Sequence, residues 1–105
     1  QVVPMMALGA KGVISVACNI IPEVMVEMAR LCLANDFAAA GTLQIQYMEL
    51  FDAMFREVNP IPIKAAMELM GQEAGTLRLP LCQMAEPDLT ALRSALERLG
   101  LLPPC

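Results

Sequence analysis

The stretch GAKGVISVACN, residues 9–19, decides the fold. After Gly9 and Gly12 comes Val13-Ile14-Ser15-Val16-Ala17, a short run that is rich in β-branched residues and apolar on both faces apart from Ser15. Such a run suits a central parallel strand covered by helices. No other stretch of the 105 residues has a regular strand pattern. A lone strand leaves its N–H and C=O groups unpaired, which burial penalises heavily. The partners of this strand are therefore expected outside the sequence.

Working outward, the residues before the strand (VVPMMALGA) look helical, and those after it give helix upon helix. Asn19 and Pro22 carry helix-start chemistry. From Pro22 to Ala34, Val24, Met25, Met28, Leu31 and Cys32 recur at steps of one helical turn, with Glu23, Glu27 and Arg30 on the other side. Asn35-Asp36 ends that helix and offers an N-cap to the next. The next is expected to run from Phe37 to about Arg56, with Phe37, Ala40, Gln44, Tyr47, Met48, Phe51 and Phe55 as its inner face. NPIPIKAAMELMG (59–71) predicts an extended entry, a helix from Pro62 and a stop at Gly71. Residues 72–86 read as irregular, given Pro80. Pro87-Asp88 opens a last helix with Leu89, Leu92, Leu96 and Leu99 on one stripe and Gly100 as its end. The order of strand then helices is that of the end of an α/β protein followed by extra helices. A doubly wound sheet and a (β/α)8 barrel both end so, and periodicity does not choose between them.

Composition points the same way. Hydrophobic residues make up 57% of the chain with glycine left out, and charged residues 17%. An ordinary domain has roughly 45–50% on a set that includes glycine, and about 25% charged. No uncharged apolar run is long enough to cross a membrane, because Lys11 and Pro4, Gly12 and Asn19 interrupt the N-terminal region. The excess therefore points to surfaces that other polypeptide covers. The chain starts with Gln1 inside a helical pattern, as a truncated piece does, and processing before Gln1 gives the same start. A basic leader with a cleavage signature is missing from this stretch. The net charge of −4 and scattered basic residues argue against a nucleic-acid partner. Cys18, Cys32, Cys82 and Cys105 form no C-x-x-C pair and histidine is absent, so no zinc site is expected. A leaderless, Met-rich chain suggests the reducing cytoplasm, where thiols act as small hydrophobes.

Candidate chemistry is sparse. Without histidine there is no Ser-His or Cys-His pair, and no glycine-rich phosphate loop is present. Glu23 with Glu27 and Glu49 with Asp52 sit one turn apart, but Arg30 and Arg56 follow a turn later, the pattern of a solvated charged face. Lys11 and Lys64 are the only lysines, and an amine nucleophile needs desolvation or a neighbouring cation. Lys11 lies in a turn and Lys64 in the first turns of an amphipathic helix, so both are expected to be surface charges. If the strand belongs to a barrel, the backbone from Ile14 to Ala17 and the loop through Asn19 line the reaction centre.

GAKGVISVACNIIPE (9–23), NPIPIKAAMELMG (59–71), LRLPL (77–81) and a final helix ending ERLGLL (97–102) resemble, in order and spacing, the dihydrodipicolinate synthase family of the pyruvate-dependent aldolases. The resemblance covers nearly the whole chain. It implies the C-terminal part of a (β/α)8 TIM barrel: the last strand and its helix in residues 1–35, and a C-terminal helical extension in 36–105. It implies a lyase of lysine (diaminopimelate) biosynthesis that condenses pyruvate, bound covalently as a Schiff base with no cofactor, with L-aspartate-4-semialdehyde. The full-length enzyme is expected to be a cytoplasmic homotetramer, with no nucleic-acid or membrane partner. The family's Schiff-base lysine belongs to an earlier strand, and neither Lys11 nor Lys64 stands in its motif. Tyr47, on the outer helices, does not replace the family's proton-relay tyrosine. One functional position carries over: Ile14, whose main-chain carbonyl faces pyruvate in the family. Leu8 corresponds to a segment near a subunit contact. The fragment alone is expected to be inactive. Two other readings stay open: a pyruvate aldolase of the N-acetylneuraminate lyase type, or a stand-alone helical interaction or assembly protein.

Overall fold

A computed structural model describes residues 1–104 of the chain. Six α-helices carry the fold: α1 (Val2–Ala7), α2 (Pro22–Leu33), α3 (Phe37–Gln46), α4 (Met48–Ala53), α5 (Ile61–Leu69) and α6 (Glu86–Arg98). They divide into two compact units, Gln1–Met48 and a second from Glu49 onward.

In the first unit α1, α2 and α3 pack on one another. Pro22 opens α2 in the first turn, where its missing N–H costs nothing. Met25, Met28 and Cys32 form its buried stripe. Asn35 ends the helix at φ +62°, a left-handed conformation that asparagine tolerates. Asp36 then caps α3, its Oδ1 accepting the Ala39 N–H at 3.1 Å. Met6, Cys32 and Ala40 make a small apolar centre, with Val2, Val3 and Phe37 packed against it.

The expected strand at 13–17 does not form as a ladder. Val16 is already helical (φ −62°, ψ −45°), and Ala17–Asn19 is a single 3-10 turn. No strand occurs among the described residues, and residues 11–15 make no backbone hydrogen bond there. The physical reason is the one the sequence suggests: a strand is stabilised by its neighbours, and nothing among the described residues pairs with it.

The single helix expected from Phe37 to Arg56 is also corrected, because it breaks at Tyr47 into α3 and α4. Buried positions follow a different stripe on each side, Ala40 and Gln44 before the break and Leu50, Ala53 and Met54 after it. Met48 and Phe55, placed on the inner face by periodicity, are exposed.

In the second unit α5 packs on α6. Ile61, Pro62, Ile63 and Ala66 are buried on α5, and Leu92, Ala95 and Leu96 on α6. Gly71 (φ +80°) and Gly100 (φ +67°) follow the helix ends as the sequence predicts, in a conformation that a Cβ would strain. Between the helices, residues 72–85 are irregular.

Candidate functional site

The segment that leads from α1 to α2 carries the one position with a functional expectation. α1 closes tightly: the Gly9 N–H donates to Met6 O at 3.0 Å and the Ala10 N–H to Met5 O at 3.1 Å, with Gly9 at φ +109°. That turn launches residues 11–15. Ile14 stands there with its side chain fully exposed, at 105% relative exposure, and its carbonyl outside any backbone hydrogen bond among the described residues. Beyond it the chain is anchored again. Asn19 donates to Val16 O through its side-chain Nδ2 at 2.9 Å and its backbone N–H at 3.2 Å, and buried Ala17, Ile20 and Ile21 lead into α2. The segment is held at both ends and bare in the middle.

Neither lysine is placed as a nucleophile. Lys11 is exposed, and the Lys64 Nζ donates to Thr76 O at 2.8 Å. Lys64 borders a cavity of about 730 Å³ between α5, the 72–85 segment and α6, lined also by Glu68, Thr76, Cys82, Met84 and Leu89. The same wall is organised by Glu68, whose Oε1 accepts the Ala74 N–H at 2.9 Å and the Gly75 N–H at 3.2 Å. Lys64 and Glu68 thus shape the loop. Tyr47 is half-buried at the α3–α4 break.

The paired carboxylates resolve as charged surface. Glu27 is held in a fork by Arg30 at 2.7 Å, and that hydrogen bond holds its carboxyl below the usual carboxylate range. Glu49 pairs with Arg98, and Arg56 with Asp88 at 3.0 Å. The arginine one turn beyond Glu49 and Asp52 therefore does not serve that pair, since Arg56 reaches α6 instead. No group of three metal-ligating side chains occurs among the described residues. Cys18 and Cys82 are exposed thiols, and burial raises the pKa of Cys32. Cys105 lies outside the described residues. No described helix is long and apolar enough to cross a membrane.

Sequence reasoning located the bare segment and put Gln44 on the inner face, but gave it no partner. It lies on the expected face of α3 and is the only buried polar side chain among the described residues, its Oε1 accepting the Val3 N–H at 2.7 Å. An isolated amide within an apolar stripe was the available signal.

A turn, a bare segment and a helix, followed by further helices, is the C-terminal part of a (β/α)8 barrel with a helical extension. The model of the dihydrodipicolinate synthetase family matches residues 1–99, and the chain belongs to that family. The 4-hydroxy-tetrahydrodipicolinate synthase of Methanocaldococcus jannaschii is 48% identical over 99 residues, covering 94% of this chain and 34% of that protein. A crystal structure of dihydrodipicolinate synthase from Aquifex aeolicus superposes with a TM-score of 0.92 at 42% identity, covering 97% of this chain and 35% of that one. A monomeric dihydrodipicolinate synthase variant superposes with a TM-score of 0.91 at 37% identity, over 96% of this chain and 34% of that one. The chain spans about a third of the length of the relatives it matches.

Proposed function

We infer that the chain is the C-terminal portion of a 4-hydroxy-tetrahydrodipicolinate synthase, a lyase that condenses pyruvate with L-aspartate-4-semialdehyde in lysine biosynthesis. The observation that carries this reading is the 48% identity over 99 residues to an enzyme of that name. Residues 1–35 supply the end of the barrel and 36–105 the extension. In the assembled barrel residues 13–15 form the last strand, paired with strands encoded elsewhere, and the Ile14 carbonyl lines the pyruvate site. The covalent step needs an amine that attacks the pyruvate carbonyl and loses water to give the Schiff base. Exposed Lys11 and carbonyl-bound Lys64 are poor amines for it, and the resemblance to the family puts the reactive lysine on an earlier strand. The enzyme works in the cytoplasm as a homotetramer, with Leu8, 86% exposed on the α1 turn, near a subunit contact.

Pyruvate and borohydride test this reading. Borohydride reduces a pyruvate imine to a stable secondary amine that mass spectrometry detects. The expected result is no adduct on this 105-residue chain and one adduct on the full-length enzyme, outside these residues. An adduct at Lys11 or Lys64 overturns the assignment.

A further inference from the structure

Residues 72–85 border the cavity between α5 and α6, and little of their own backbone holds them there. Among the described residues the segment makes one internal backbone hydrogen bond, from the Leu81 N–H to Arg78 O at 3.0 Å, and its first residue is tied back to α5 by the Gln72 N–H on Met67 O at 2.9 Å. The other ties come from side chains. At the near end Glu68 Oε1 takes the Ala74 and Gly75 amides, and the Lys64 ammonium, one turn earlier on α5, takes the next carbonyl, Thr76 O, at 2.8 Å. At the far end Glu57 Oε1 accepts the N–H of Ala85, the N-cap of α6, at 2.8 Å. Carboxylates meet N–H groups and the ammonium meets a carbonyl, so each tie is charge-assisted.

All four of these bonds are exposed, where water competes for the same partners. The floor beneath is held differently: Ala66 of α5 and Leu92 and Leu96 of α6 are fully buried. A cover held by exchangeable bonds over a packed floor opens at a lower cost than the floor does. The ties also support one another. Each end forms its bonds at the high effective concentration that the other end maintains, and the segment between them has almost no backbone bonding to insulate one end from the other. We propose that residues 72–85 are a strap that opens and closes as one unit over the cavity, with Lys64, Glu68 and Glu57 as its latches.

Lys64→Met and Glu57→Ala in this 105-residue chain, read by amide hydrogen exchange, test the strap. The reporters are the bonded amides of Ala74, Gly75, Leu81 and Ala85, with the internal α6 amide of Leu92 as control. Lys64 bonds to a carbonyl and to none of these amides, so its effect on them passes through the strap. Loss of one exposed, charge-assisted bond is expected to make all four exchange about fivefold faster in Lys64→Met, with Leu92 unchanged. Glu57→Ala cuts the far end and is expected to speed Ala74 and Gly75 by a similar factor. Faster exchange confined to the amides beside the altered side chain shows separate tethers and overturns the strap, as does unchanged exchange at Ala74 and Gly75 in Glu57→Ala. A Leu92 amide accelerated by the same factor means that floor and cover open together, and overturns it as well.

Discussion

At the scale of single residues, polar side chains here work mainly by holding backbone. Glu68 is the clearest case. Its single oxygen accepts two consecutive amides, Ala74 and Gly75, and so closes the turn after α5. The Glu68→Ala variant leaves both donors to water and is expected to lose about 1 kcal/mol of unfolding free energy, a figure kept low by solvent exposure. Glu68→Gln retains an acceptor and is expected to lose less. Urea unfolding of the two variants, with amide exchange at Ala74 and Gly75, checks both. Lys64 belongs to the same device, since its ammonium donates to Thr76 O across the turn. Its helical position was legible in the sequence. Its carbonyl partner was not, because the 72–85 segment has no periodicity from which to place Thr76. Gln44 shows the same limit. Spacing put it on the inner face of α3, but only tertiary structure supplies a donor 41 residues away.

At the scale of elements, ends were more legible than interiors. Pro22, Asn35-Asp36, Gly71 and Gly100 mark boundaries through local backbone chemistry, and each stands where the structure ends or begins a helix. The break at Tyr47 was not legible, because 37–56 contains no proline and its apolar stripe is wide enough to suit one continuous helix. The strand shows the opposite case: the residue pattern at 13–17 is strand-like, and the ladder is missing because pairing is a property of two segments. Among the helices, α6 depends most simply on its buried stripe. Leu92 is fully buried and α6 packs on α5, so Leu92→Ala is expected to cost about 2–5 kcal/mol through lost burial and the cavity left behind. Chemical denaturation measures it. Thr90→Ala, at an exposed position on the same helix, is the matched control and should change stability by less than about 0.5 kcal/mol.

At the scale of the whole molecule, the chain matches its relatives over about a third of their length. On the function inferred above, the apolar composition and the bare segment have one cause, surface that a complete barrel covers. Val13, Ile14 and Leu79 are exposed large hydrophobic residues, beyond what a self-sufficient domain of this size needs to show. Family and fold class were therefore legible from quoted motifs and from one unpaired strand pattern. The Schiff-base lysine that the resemblance implies was not, since the family's motif for it is not among these residues.

The bare segment has one more consequence. Proteases take their substrates as unpaired peptide, and residues 11–15, between two helices, make no backbone hydrogen bond among the described residues, with exposed Lys11 at their start. The bond between Lys11 and Gly12 is thus the first place trypsin should cut, separating α1 from the rest. Resistance at that one bond would serve as a gauge of barrel closure.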